Sequence, residues 1–133
     1  MLPGQIMLCL SLVINKLVLV PMTRSLLGDT GAMLAVYGPR APARDILLSV
    51  YLAILVASVG LLALVSIDAT RDASQWAGAG LLCVQVIYKA LTIQLVDGGV
   101  PPGWSSNPVV RSTTAIALVH FVSLATIVFD ARG

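Results

Sequence analysis

Hydrophobic and polar positions divide the chain into four long apolar stretches separated by shorter polar ones. The clearest runs from Ile46 to Ile67 without a charge over 22 residues, enough helix to cross a bilayer. Gly4 to Met22 is a second, interrupted by Asn15-Lys16 and expected to end near Pro21. A third runs from Ala73 to Val96 with Lys89 well inside it, and a fourth from Val109 to Phe129 with His120 near its middle. Spans over about 4–22, 46–67, 74–96 and 110–129 follow.

The connections decide the topology. Thr23 to Asp45 is the longest, and its moderately apolar part from Ser25 to Tyr37 predicts a short helix at the membrane interface, with Tyr37 at headgroup level. Gly38-Pro39-Arg40-Ala41-Pro42 breaks that helix, and Asp45 suits the N-terminus of the next one. Asp68 to Asp72 is short enough to make the second and third spans antiparallel neighbours. Gly98 to Pro108 is too rich in glycine and proline for a regular element, and Trp104 within it reads as an interfacial anchor. The predicted fold is an all-α integral membrane four-helix bundle, up-down antiparallel, in one domain over residues 1–133. A signal peptide would need basic residues ahead of the first apolar stretch and small residues at a cleavage site. Neither is present, so that stretch is expected to remain a helix of the mature protein.

Composition agrees and removes other classes. Apolar residues make up 58% of the chain and charged ones 11%, against roughly 25% charged in soluble domains. The six acidic residues are all aspartates, and the net charge of +2 comes without a basic cluster, which argues against nucleic acid. Cys9 and Cys83 read as buried, inert thiols, too few for a disulfide framework or a zinc site. No acidic pair, histidine cluster or phosphate-binding loop supports catalysis, so no catalytic residue, metal ligand or obligatory cofactor is expected.

The polar residues inside the spans are the candidate chemistry. Gln85, Tyr88, Lys89 and Thr92 stand three or four residues apart and share one side of the third helix. A lysine at mid-span costs roughly 2.5–3.5 kcal/mol to insert. Counting rises of 1.5 Å, Lys16 and Lys89 lie roughly 9–10 Å from one membrane face and His120 roughly 12–15 Å from it. Lys16, Gln85, Tyr88, Lys89 and His120 are thus expected to form an intramembrane basic layer that binds a ligand or partner. The competing explanation is snorkelling, in which each lysine stem lies along lipid and its ammonium reaches the headgroups. For His120 it is a neutral imidazole hydrogen-bonded across a helix contact, with Thr113 and Ser123 on its own face and Ser11 and Asn15 as the corresponding stripe on the first helix. Helix packing is expected at Asn15, at the small residues Ala53, Ala57 and Gly60 of the second span, and at Gly78 and Gly80 of the third.

The four-span layout, with Lys16 in the first helix and a Gly-Pro loop before the second, loosely resembles small bacterial DoxX-type membrane proteins. No motif carries a residue role across, and no family is assigned. The expected function is that of a non-enzymatic accessory or structural subunit packing against partner membrane proteins or cofactors. The alternative is a binder or carrier of an anionic or carbonyl-bearing lipophile, such as a phospholipid, quinone or fatty acid. An embedded enzyme or proton-coupled transporter ranks last, since no carboxylate lies within a span. Membrane lipids, partner subunits or a second copy are the expected partners. The bacterial inner membrane is the expected location, with both termini away from the cytoplasm because Arg24, Arg40, Arg44 and Arg111 gather at the other face.

Overall fold

Each apolar stretch forms one long helix in the computed structural model, which describes residues 2–96 and 108–131. These are α1 (Pro3–Leu27), α3 (Pro42–Val65), α4 (Arg71–Val96) and α5 (Pro108–Asp130), with a short α2 (Gly31–Tyr37) between the first two and a single 3-10 turn (Asp68–Thr70) ahead of α4. No strand occurs among the described residues. Asp97, Trp104, Arg132 and the Gly98–Asn107 part of the second loop lie outside them.

The first helix does not stop at Pro21. It continues six residues to Leu27, although proline donates no backbone hydrogen bond to Leu17. One missing bond is cheaper than a helix end inside the apolar layer, where all the terminal carbonyls would need other partners. The Pro21 ring lies on the outer, exposed side, and the Thr23 hydroxyl donates to the Leu19 carbonyl at 2.8 Å one turn back. Ser25 to Leu27 therefore belong to α1, and the short helix expected over Ser25 to Tyr37 is confined to Gly31–Tyr37. Gly38 ends it at φ 72°, a left-handed backbone that favours glycine.

The helices form a ring in the order α1, α3, α4, α5, with α1 and α4 on the diagonal. Buried positions follow a repeat of three and four residues: Gln5, Leu8, Leu12, Asn15 and Leu19 on α1, and Gln75, Gly78, Leu82, Gln85 and Lys89 on α4. This is the seam expected of near-parallel helices in a bundle. Leu8, Leu12, Val65, Ala79, Leu82 and Ile127 make the apolar core. Two glycines permit close approach. A Cβ on Gly78 would come within 2.7 Å of the Leu8 side chain, and one on Gly4 within 2.9 Å of the Ile127 backbone.

The outer surface is more apolar than the seam. Leu17, Val56, Leu95 and Phe129 are 68–79% exposed, while the seam holds Asn15, Gln85, Lys89 and His120. All four long helices are long and apolar enough to cross a membrane. That inversion suits lipid as the outer solvent, where outward leucine carries no penalty and polar groups are satisfied inside. The protein is an integral, multi-pass membrane protein with an all-α four-helix bundle fold.

The small residues expected to pack helices divide. Gly78 packs tightly and Asn15 is buried, whereas Ala53, Gly60 and Gly80 lie on the outside and Ala57 is half-buried. Gly60 and Gly80 have no neighbouring atom within 4 Å of an added Cβ. Larger and polar side chains, Arg44, Leu48, Ile54, Ser58 and Val65, form the inward face of α3 instead. Cys83 is exposed on the outer surface rather than buried, and both thiols are free.

Candidate functional site

Two polar regions lie inside the bundle. The first is a closed cluster on α1, α3 and α5. Ser11, Asn15, Ser58, His120 and Ser123 are at most 3% exposed. Nδ1 of His120 lies 3.1 Å from the Ser11 hydroxyl and Nε2 lies 3.0 Å from Oδ1 of Asn15. Nδ2 of Asn15 donates to the Ser58 hydroxyl at 3.0 Å. Asn15 Oδ1 is thus the acceptor facing the ring, so Nε2 donates to it, while Nδ1 and the Ser11 hydroxyl share the other bond. The Ser11 and Ser123 hydroxyls are 2.8 Å apart, and Ser123 reaches the Met7 carbonyl at 3.0 Å. The result is a continuous set of hydrogen bonds across three helices around the imidazole. Ser11, Asn15 and His120 are each at most 3% exposed, and every helix of the cluster supplies partners to its neighbours.

The second region is open. Lys89 is 7% exposed and lines a small cavity of about 40 Å³ with Tyr37, Tyr51, Tyr88, Thr113 and apolar side chains of α1 and α5. All three tyrosines of the chain converge there, from α2, α3 and α4. The Lys89 ammonium donates to the Tyr88 hydroxyl at 3.0 Å and sits 4.9 Å from that ring's centre. No carboxylate lies within ion-pair distance among the described residues, so two of its three N–H bonds have no protein acceptor there. One turn earlier on the same seam, Gln85 is 1% exposed and its Nε2 has no partner among the described residues. A buried amide and a buried ammonium with spare donors both call for oxygen acceptors. Burial raises the pKa of Tyr37, keeping that phenol a neutral donor.

Arg44 fixes the wall that α2 contributes. It is 5% exposed, and its guanidinium donates to the Leu26 carbonyl at 2.7 Å and the Gly38 carbonyl at 3.1 Å, with Asp29 paired at 2.6 Å. The end of α1, the turn before α2 and the turn after it are thereby tied to the start of α3. Tyr37 is held one residue before the clamped Gly38 and lines the cavity. Asp45 pairs with Arg40 at 3.0 Å on the surface.

Of the five residues expected to form one basic layer, Gln85, Tyr88 and Lys89 come together on α4. His120 belongs to the closed cluster instead, where Ser11 and Asn15 satisfy its ring. Lys16 is exposed on the outer side of α1 and takes no part in either region. One residue separates it from the buried Asn15, and a step of one along a helix turns a side chain about 100°. Tyr37, Tyr51 and Arg44 were missed as site residues. The only signal for Arg44 was its place just ahead of a span, and nothing in the sequence directs Tyr51 inward. Among the described residues no group of three or more histidine, cysteine or acidic side chains could hold a metal.

No family model, curated protein or solved structure matches the chain.

Proposed function

We propose that this multi-pass membrane protein is a non-enzymatic binder of a lipophile whose anionic or carbonyl head sits at Lys89. The observation that carries the reading is the buried ammonium, with two N–H bonds unpaired among the described residues, on a cavity lined by three tyrosines. The cavity, near 40 Å³, is small and half-open, so the head would sit at Lys89 while the apolar remainder of a phospholipid, quinone or fatty acid lies along the helices. The test is lipid extraction and mass spectrometry of protein purified in mild detergent. A stoichiometric lipophile in the wild type that is lost in Lys89→Leu supports the reading, and a wild type free of any lipophile ends it.

The accessory-subunit reading has its own observation. Lys16 faces outward in mid-span, and Gly60 and Gly80 leave open backbone on the outer surface. A partner chain, or a second copy of this one, would supply the acceptor and the packing that lipid does not. A protein that runs as a lone monomer in mild detergent and carries no other chain sinks this reading. For location we favour a bacterial inner membrane with both termini outside the cytoplasm, since Arg24, Arg40 and Arg44 gather at the far end of α1. A C-terminal reporter active only in the cytoplasm should be silent.

A further inference from the structure

The polar lining of the Lys89 cavity is one ammonium and five hydroxyls, those of Tyr37, Tyr51, Tyr88, Ser112 and Thr113. It holds no carboxylate. The aspartates of the chain are Asp29, Asp45, Asp68, Asp72, Asp97 and Asp130, none of them inside an apolar stretch. Asp97, the nearest to Lys89 in sequence, is eight residues on and lies outside the described residues. Lys89 is 7% exposed and forms no ion pair among the described residues. Its one hydrogen bond there goes to the Tyr88 hydroxyl, which keeps its own proton to donate. Two ammonium N–H bonds and a phenol O–H are therefore available at one wall of the cavity.

Charge then separates two kinds of oxygen head. A neutral carbonyl or ester accepts the spare hydrogen bonds but brings no charge. Seated in the cavity, it takes from the ammonium the contact with water that remains to it. A buried charge left uncompensated is far more costly than a buried neutral group. If the lysine sheds its proton instead, the charge-assisted bonds go with it. A carboxylate or a phosphate accepts the same bonds and cancels the charge, with the stronger hydrogen bonds of an ion pair. Removing the anion from water offsets part of that gain, so a preference of about tenfold is expected. We propose that the Lys89 site selects lipophiles whose head carries negative charge on oxygen over neutral esters and quinones. This selectivity rests on the lipophile-binding reading, and the two fail by different results.

The test loads the full chain, stripped of lipid in mild detergent, with matched pairs in the same micelles. The pairs are palmitate against methyl palmitate, and palmitoyl lysophosphatidic acid against monopalmitoylglycerol. Native mass spectrometry reads the ratio of charged to neutral ligand retained. The ratio should be about tenfold in the wild type and near one in Lys89→Gln, which keeps an N–H donor and drops the charge. A prenylated quinone, added as a second neutral competitor, should be retained no better than the ester. Tyr88→Phe should reduce the ratio about threefold by loss of one donor. Lys16→Gln removes a lysine on the outer side of α1 and should leave the ratio unchanged. The pair with the larger ratio identifies carboxylate or phosphate as the head. Equal retention of charged and neutral ligands, lost together in Lys89→Gln, overturns the selectivity and leaves the binding reading standing. A preference that survives Lys89→Gln also overturns it, since the charge responsible then lies elsewhere. Retention of no ligand at all ends both. Should Lys89→Gln fail to fold, Tyr88→Phe carries the test, and an unchanged ratio there overturns the selectivity.

Discussion

The His120 cluster and the Lys89 cavity are built from similar materials and behave as opposites. Each lies inside the same bundle, and each places an ionisable side chain among hydroxyls. Around His120 both ring nitrogens have partners, contributed by Ser11 and Asn15 of a neighbouring helix. Around Lys89 the one hydrogen bond among the described residues is donated to the Tyr88 hydroxyl of its own helix, on the wall of a small cavity. A closed polar network fixes the helices against one another, whereas the donors left over at Lys89 are the ones the proposed lipophile would use. On that proposal the contrast separates holding from binding.

Breaking the closed side should have the largest effect. His120→Ala strands the Ser11 hydroxyl and the Asn15 carbonyl and leaves a void, so unfolding in mixed micelles should show a loss of about 2–4 kcal/mol. An unchanged midpoint would mean that the cluster does not hold the helices together. Arg44→Gln comes next. It removes the guanidinium bonds to Leu26 and Gly38 and the pair with Asp29, at a cost of about 1–3 kcal/mol. The loss should be local, read as faster hydrogen exchange through α2 and protease cleavage between Gly28 and Pro42. Equal protection in both proteins would show that the clamp is ornamental.

The open side should respond in function rather than in stability. Lys89→Leu deletes an insertion cost of up to about 3 kcal/mol, so the bundle should melt at the same temperature or higher while the co-purifying lipophile disappears. Lys89→Glu should lose it too, because a like charge repels an anionic head. Unchanged co-purification in both variants would return Lys89 to the role of a tolerated structural residue. Lys16→Leu is the smallest change. On the outer surface it should move stability by less than about 0.5 kcal/mol and leave the lipophile in place. A large loss there would mean that Lys16 has an acceptor outside the chain, which favours the accessory-subunit reading.

Much of the fold was legible without coordinates, because a bilayer makes length and apolarity nearly sufficient to specify a spanning helix. The four spans, a short helix between the first two, the antiparallel order and the shared polar face of Gln85, Tyr88 and Lys89 all followed from spacing. The stripe of Ser11 and Asn15 did as well, since polar residues one turn apart in an apolar helix have few other uses. Helix ends were less legible. Pro21 signals a break in water, but in lipid the neighbouring turns keep their bonds and the helix runs on.

What only the tertiary structure decided is how each helix is rotated about its own axis. In a soluble bundle the hydrophobic effect turns the apolar face inward, and sequence alone reveals that face. Here lipid is as apolar as the core, so the rotation is settled by packing and by which polar groups find partners. Lys16 and Lys89 look alike in sequence, yet the pairing of Asn15 with Ser58 and His120 turns Lys16 outward. Ala53 and Gly60 face out for the same reason, since Ser58 must meet Asn15. Tyr37 and Tyr51 enter the cavity through the Arg44 clamp and the turn of α3, contacts between residues that periodicity does not link. Sequence therefore determined which segments cross the membrane, and tertiary packing determined which of their polar residues face one another.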